Sequence, residues 1–448
     1  METTALKAAI SYESKLVRRN GLFYFFIFGV LGILSVLIPW TRDWIFWENV
    51  AFASSIPIRG VYFLNLFQSL IVIFIICDIE RKRRKAETRE VLSARPIGNR
   101  QSLLGEFLGI LVPFLAVDII FILVCVVIGI IIPDSPVNLW VNLFYLLTLV
   151  LPTLVFIIGL SLLVNKLFKQ PFISWVTLTA FLYFACNYWV TPLYGILDFR
   201  GSLLPSSFST LIGFVYLEDY LLQRFVFLFL GIGFLCFAVL FAKRKPNTSD
   251  RKCYLIVPAS LFLVLALVLG GIYVGKFQAR LENRIAYRET FLKYNEYPTS
   301  RVLTHDVTYH PGGEKFSATS RMSIQNRKKV KMDKLLLFLN PGLEIGKIES
   351  NGQSLSFSRD YQVIVIDHPL APGEEIELEV EYEGRIDEDI YQVNIPDDEF
   401  FSPAARYSQK ENYGRRRAFV SRVHAACTGS DVVSDDCSPG GITGIQRD

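Results

Sequence analysis

Apolar residues form unbroken runs of about 20 residues up to position 275 of the chain and give way to alternating apolar and polar positions after about residue 300. Seven apolar runs have the length of a bilayer-crossing helix: 21–40, 57–77, 107–132, 141–164, 171–190, 223–242 and 255–275. About 20 residues at 1.5 Å each span the hydrocarbon core, so these runs predict a polytopic α-helical membrane domain. The spans 141–164 and 171–190 are separated by little more than "NKLFKQ". The first run has no small-residue cleavage site and has further spans behind it, unlike a signal peptide. The chain "FQARLENRIAYRETFLKYNEY" within 277–300 predicts a helical stalk.

Beyond the stalk the period changes to two. Candidate strands are 302–309, 314–325, 333–339, 344–350, 354–358, 361–367 and 375–383, with "SNGQ" as a hairpin signal and "NPG" and "APG" as breaks. Short strands about ten residues apart predict an all-β domain, an antiparallel sandwich or saddle-like sheet, over 301–400.

Composition agrees with the membrane reading. Hydrophobic residues make up 52% of the 448, with 36 Phe and 20 Tyr, and the mean hydropathy is +0.36. Cations set the expected orientation. Segments 1–20, 78–106, 165–170 and 243–253 hold nearly all the Lys and Arg of the loops, whereas 41–56, 133–140 and 191–222 hold only Arg42 and Arg200. The positive-inside rule then places the N-terminus in the cytoplasm, with 1–20 as an interfacial segment, and the β-domain outside. Nothing points to nucleic acid. Cys77, Cys125, Cys186, Cys236 and Cys253 lie in or near spans and read as small apolar residues. The outer domain has none up to residue 420; Cys427 and Cys437 could pair in an oxidising space.

Two places carry candidate chemistry. The cytoplasmic stretch "ERKRRKAETREVLSARPIGNRQSLLGEF" predicts an exposed helix ended by Pro96, a turn, and the start of the next span. Its charge alone also fits positive-inside residues beside anionic lipid. Asp118, the single acid in the run 107–132, lies about 16 Å into the membrane, level with Asn65 and Gln68 on the second span. These three predict either a helix–helix contact with Asp118 protonated, or the lining of a substrate path.

The cytoplasmic stretch resembles the first cytoplasmic loop of type-2 ABC exporter permeases. The residues that carry the likeness are Glu87, Thr88, Glu90, Leu92, Ser93, Pro96, Ile97, Leu103, Leu104 and Gly105. The likeness extends over 21–242, with a charged segment ahead of the first span, six core spans, and an apolar outer loop that is expected to re-enter the bilayer. It implies that Glu87, Thr88, Glu90, Leu92, Pro96 and Ile97 dock a separate ATPase subunit, and that two membrane subunits work together in a bacterial cytoplasmic membrane to export a substrate. The chain carries no Walker A motif: "GLEIGKI" at 342–348 is one residue short and lacks the hydroxyl.

Residues 305–385 are similar to the N-terminal β-domain of gluzincin aminopeptidases, through "LNPGL", the following "NG" and "PLAPGEEIELEVEYEG". The zinc motif of that family, H-E-x-x-H, is missing: the histidines are His305, His310, His368 and His424. No metal or other cofactor is expected. The last residues, 422–448, are rich in Gly, Ser and Asp and read as disordered. They suggest an interrupted reading frame that stops short of a peptidase domain; a native flexible tail is the alternative. Three functions follow for comparison: a transport subunit, a membrane-anchored peptidase homologue without its metal site, and a module that binds a peptide by strand addition.

Overall fold

The computed structural model describes residues 2–43, 55–84, 98–131, 137–168, 170–188, 192–202, 208–209, 213–214, 217–242, 256–313, 315–387 and 389–390. The chain divides into two compact units, 1–276 and 277–448.

The first unit is a helical bundle. Helix α1 (Glu2–Arg18) is amphipathic, and α2 (Gly21–Asp43) is apolar. Between them, Asn20 accepts a hydrogen bond from the Leu22 N–H at 3.0 Å and so caps α2 as a new helix. The two helix axes meet at 68°. Helices α3 (Ser55–Arg83), α4 (Asn99–Ile131), α5 (Leu139–Leu167), α6 (Pro171–Asn187), α7 (Leu217–Phe241) and α8 (Ile256–Tyr294) follow. Asn138 caps α5 by accepting from the Trp140 and Val141 N–H groups, and Pro171 opens α6, where its missing N–H costs nothing.

Five of the described helices are long and apolar enough to cross a membrane: 60–83, 100–131, 139–167, 217–241 and 256–294. The bent pair Thr4–Arg18 and Gly21–Ile33 passes the same test jointly and gives six. That is fewer than the seven apolar runs. The run 171–190 becomes a helix of 17 residues, short of the roughly 20 a crossing needs. The last run and the stalk, read as two elements, form one uninterrupted helix of 39 residues. No proline lies between 259 and 297 to stop it.

Helix α5 contains a π-helical turn at Leu146–Val150. Its cause is Pro152, which has no N–H and whose ring excludes the carbonyl four residues earlier. Helices α5 and α7 cross with their backbones in contact. A Cβ on Gly159 would lie 2.3 Å from the Gly231 carbonyl oxygen, and one on Gly231 would lie 2.7 Å from the Phe156 nitrogen. Only glycine permits that approach, which packs small residues where apolar solvent offers no hydrophobic drive.

The second unit holds the β-domain. Strands β1 (Phe208–Ser209) and β2 (Gly213–Phe214) belong to the first unit. The domain itself comprises β3 (Arg301–Gly312), β4 (Lys315–Gln325), β5 (Leu335–Phe338), β6 (Leu343–Ser350), β7 (Gln353–Ser354), β8 (Phe357–Asp360), β9 (Val363–Ile366) and β10 (Glu375–Gly384). They form an antiparallel sheet ordered β3-β4-β10-β6-β7 and a second ordered β5-β9-β8. Both contribute to one core: Val302, Ile324, Ile348, Ile376, Leu378 and Val380 from the larger, Leu335, Leu337, Ile364 and Ile366 from the smaller. Strand β10, "EIELEVEYEG", shows why: Ile376, Leu378 and Val380 are buried while Glu375, Glu377 and the later acids point away.

The "SNGQ" turn joins β6 to β7 with Asn351 and Gly352 both at positive φ (48° and 79°), the geometry of a type I′ hairpin. The expected strand 354–358 is split. Leu355 still donates to the Ile348 carbonyl at 2.9 Å, while Phe357 already pairs with Ile366 in the other sheet, so the chain changes sheets there. The part of α8 within this unit is bonded to the β-domain. Tyr287 Oη donates to Asp387 Oδ2 at 2.6 Å, and Gln362 Nε2 donates to the Tyr287 carbonyl at 2.6 Å.

Candidate functional site

One end of the helical bundle is held by six charges that come from four helices. Arg83, at the end of α3, pairs with Glu13 of α1, with Glu106 of α4 at 2.5 Å, and with Glu80 one turn back at 3.9 Å. Lys166 of α5 reaches Glu80 at 3.1 Å and Glu106 at 3.8 Å. Arg84 lies 3.6 Å from Glu80 and donates to the carbonyls of Asn165 and Phe168. Three carboxylates meet three cations, so the knot is neutral.

The side chains of Arg83 and Glu106 are only 15% and 6% exposed. Pairs this deep are shielded from salt and leave a costly buried charge when one member is lost. Close packing brings α1 into the knot: a Cβ on Gly109 would lie 2.3 Å from the Glu13 Cβ, and one on Gly105 would lie 2.6 Å from the Ala9 Cβ. Gly105, part of the exporter-like motif, thus admits the helix that delivers Glu13.

The expected docking residues Glu87, Thr88, Glu90, Leu92, Pro96 and Ile97 lie outside the described residues, as does Ser93. Their flanks do not. Arg83 and Arg84 precede that segment directly, and Glu106 follows it on α4. The knot therefore joins α3 and α4, the helices that flank that segment in sequence.

The three polar residues of the apolar helices, Asp118, Asn65 and Gln68, fall into two contacts. Gln68 Nε2 donates to Asp118 Oδ2 at 2.7 Å, and both are buried. Asn65 turns elsewhere and donates to the Leu149 carbonyl at 3.2 Å and to Thr153 Oγ1 at 3.4 Å. Leu149 lies in the π turn, whose altered ladder leaves this carbonyl within reach of a side chain. Asp118 Oδ1 and Asn65 Oδ1 are buried without a hydrogen-bond partner among the described residues. Next to Asn65, Thr153 also donates to the Phe199 carbonyl at 3.1 Å.

Phe199 belongs to the loop between α6 and α7. Among its described residues this loop contains no re-entrant helix; 192–202 form tight turns, with Leu193 and Tyr194 at positive φ. Arg224 of α7 holds these turns in place. It is 1% exposed and donates to the carbonyls of Phe199 and Asp198, both at 2.9 Å, and to Gln223 Oε1 at 2.7 Å. Asp198 Oδ2 accepts from the Ser202 N–H at 2.6 Å and from its hydroxyl at 2.8 Å. Arg224 was not foreseen, because it lies at the very start of the expected span 223–242, where a terminal arginine passes as an interfacial charge.

An apolar groove of about 590 Å³ lies on the opposite side of α3. Gly29 and Ile33 of α2, Phe63, Leu66 and Phe67 of α3, and Leu182 of α6 line most of it, with Thr179 and Tyr183 as its polar groups. Asp118, Asn65 and Gln68 do not line it. In the β-domain, His305 Nε2 lies 2.5 Å from Ser320 Oγ. No group of three His, Cys, Asp or Glu able to hold a metal occurs among the described residues. Cys77, Cys125, Cys186 and Cys236 carry free thiols; Cys253, Cys427 and Cys437 lie outside the described residues, with all of 391–448.

No protein-family profile matches the chain, and no curated protein does. Solved structures with some likeness include an M1 zinc metallopeptidase of Deinococcus radiodurans bound to a Tyr-Ser-Ala substrate, and a two-domain M1 zinc metallopeptidase bound to L-arginine. Each is 23% identical, with 19% of this chain and 21% of that chain covered and a TM-score of 0.18. The chain thus spans about a fifth of the length of these peptidases. Its own residues, not this likeness, carry the functional argument. They form a bundle of membrane-type helices and an antiparallel β-domain.

Proposed function

We propose that this chain is the membrane subunit of a type-2 ABC exporter, driven by a separate ATPase and working as two copies in a bacterial cytoplasmic membrane. The charge knot carries this reading. Segment 85–97, which resembles the ATPase-docking loop of such permeases, is flanked in sequence by α3 and α4, two of the helices that the knot joins. A push on the segment is then delivered to Arg83 and Glu106, and through Glu13 and Lys166 to α1 and α5 at once. Rigid displacement of several helices by one bistable contact is the way such machines rock. In this scheme the knot is cytoplasmic, the β-domain is extracytoplasmic, and the apolar groove beside α3 serves as the path for an apolar substrate. The contacts of Gln68 with Asp118 and of Asn65 with Leu149 and Thr153 join helices, which supports the first of the two roles expected for these residues, the helix–helix contact, over the lining of a path.

The test is a photo-crosslinker placed at Thr88 or Ile97 in the full chain in native membranes. The expected product is a partner that also takes up a photoreactive ATP analogue, and Glu90→Lys abolishes the product. Crosslinks to lipid alone at both positions, with the chain folded and membrane-inserted, would refute the docking reading.

The open edge of β3 favours a second activity for the β-domain. Residues 304–310 pair with β4 on one side only among the described residues and contain neither Lys nor Pro, the usual guards of an edge. Strand addition of an extended peptide there, lost on Val307→Pro in a binding assay, is the expected behaviour; binding that survives the proline removes it.

A further inference from the structure

We propose that the outward face of α1 is a docking surface for anionic phospholipid headgroups. The helix has two opposite stripes. Ala9, Glu13 and Val17, four residues apart, are buried, whereas Thr4, Lys7, Ser11, Lys15 and Arg18 are exposed. At 100° per residue the stripes lie half a turn from each other. The buried stripe takes the helix's described acid, Glu13, into the knot with Arg83. The exposed stripe therefore bears positive charge alone among the described side chains. Arg18 Nε donates to the Ser14 carbonyl at 3.3 Å, and no carboxylate pairs with Lys7, Lys15 or Arg18 among the described residues.

The second observation lies just past the bend. Tyr24, Phe25 and Phe28, in the first two turns of α2, are 54%, 57% and 70% exposed. Exposed aromatic rings at the start of an apolar span mark the level where headgroups give way to hydrocarbon. Arg18 and the exposed Arg19 precede Tyr24 and Phe25 by five to seven residues, and the 68° bend carries α1 away from the direction of the span. The half-buried Ile10 borders the cationic stripe and suits the acyl boundary. Cations at this level, with aromatic rings beside them, match a layer of phosphodiesters better than the acidic face of a protein. The inference needs only that the bundle lies in a bilayer and holds whether or not an ATPase docks.

The experiment uses the full chain in nanodiscs of phosphatidylcholine, titrated with a fluorescent phosphatidylglycerol, and compares it with the Lys7→Gln/Lys15→Gln/Arg18→Gln variant. Each cation near an anionic surface is worth about fivefold in binding, so the triple variant should lose about a hundredfold at low salt. The preference should also fade as salt is raised. Lys7→Arg/Lys15→Arg, which keeps the charge, should retain it. Equal binding of phosphatidylglycerol and phosphatidylcholine, or an unchanged triple variant, overturns the proposal. Displacement of the lipid by inorganic phosphate would assign the face to free anions, and loss of a protein partner from the triple variant with lipid binding intact would assign it to protein. Either result refutes the lipid surface.

Discussion

Replacement of Arg83 by glutamine removes the hub of the knot and leaves Glu13, Glu80 and Glu106 with only Arg84 and Lys166 to balance them. The carboxylates are buried: the side chains of Glu13 and Glu106 are 11% and 6% exposed. Removing one partner of a buried pair costs about 3–5 kcal/mol, because the remaining charge has lost both water and its counter-ion. At about 2–4 °C per kcal/mol for a unit of this size, the thermal midpoint should fall by roughly 10 °C. The assay is the melting midpoint of the full chain in mild detergent, followed by size-exclusion chromatography after heating.

Two controls isolate the cause. Arg81 is 69% exposed and pairs with Asp78 on the surface, so Arg81→Gln should cost less than about 1 kcal/mol. In Arg83→Gln/Glu106→Gln the remaining four charges again sum to zero, and the double variant should melt above the sum of its single losses. If Arg81→Gln and Arg83→Gln lower the midpoint equally, or the double variant is additive, the knot is not a coupled unit.

Gly231→Leu should abolish the folded bundle, since even a Cβ there lies 2.7 Å from the Phe156 nitrogen, whereas Gly271→Ala, which meets nothing within 4 Å, should be silent; size-exclusion profiles separate the two. In the β-domain, Ile364→Ala removes a side chain that is 1% exposed from the shared core and should cost about 2–5 kcal/mol, measured as earlier proteolysis of that domain. The Lys293 ammonium beside Asp360, 2.6 Å away, holds that carboxyl below its ordinary value. A depressed carboxylate pKa stabilises the fold above the unfolded-state value near 4 and loses that contribution as pH falls through the folded value. The gap in thermal midpoint between the native chain and Asp360→Asn should therefore be open at neutral pH and close in acid; a gap independent of pH would discount the pair.

Period and length made most of the fold legible. The apolar runs became helices, and "SNGQ" became the hairpin it resembled because Asn and Gly accept the two positive φ values of the turn. What escaped was set by tertiary context. Leu355 and Phe357 alternate as one strand would, yet they bond to different sheets. The proline that opens a π turn in α5 gives no sign in hydropathy, because Leu146, Leu147, Leu149 and Val150 are apolar in either kind of helix.

The candidate site divides along the same line. Asp118 was conspicuous as a lone acid in an apolar run, and the structure gives it the expected neighbour Gln68. The knot was not conspicuous, because its bonded partners lie as far as 86 residues apart and each passes as an ordinary interfacial charge. Neighbouring residues at the end of α3 show why counting charges could not find it. Arg81 and Lys82 are 69% and 62% exposed, whereas Arg83 and Arg84 are 15% and 25% exposed. All four add equally to the positive-inside count. Successive positions turn by 100° about the helix axis, so two of these cations face outward and two enter the knot. Orientation in a membrane depends on the total, but transmission between helices depends on which face each cation occupies. Equal losses of charge test that distinction: Arg81→Gln should leave the melting midpoint in place, and Arg83→Gln, which removes the same charge from the count, should lower it.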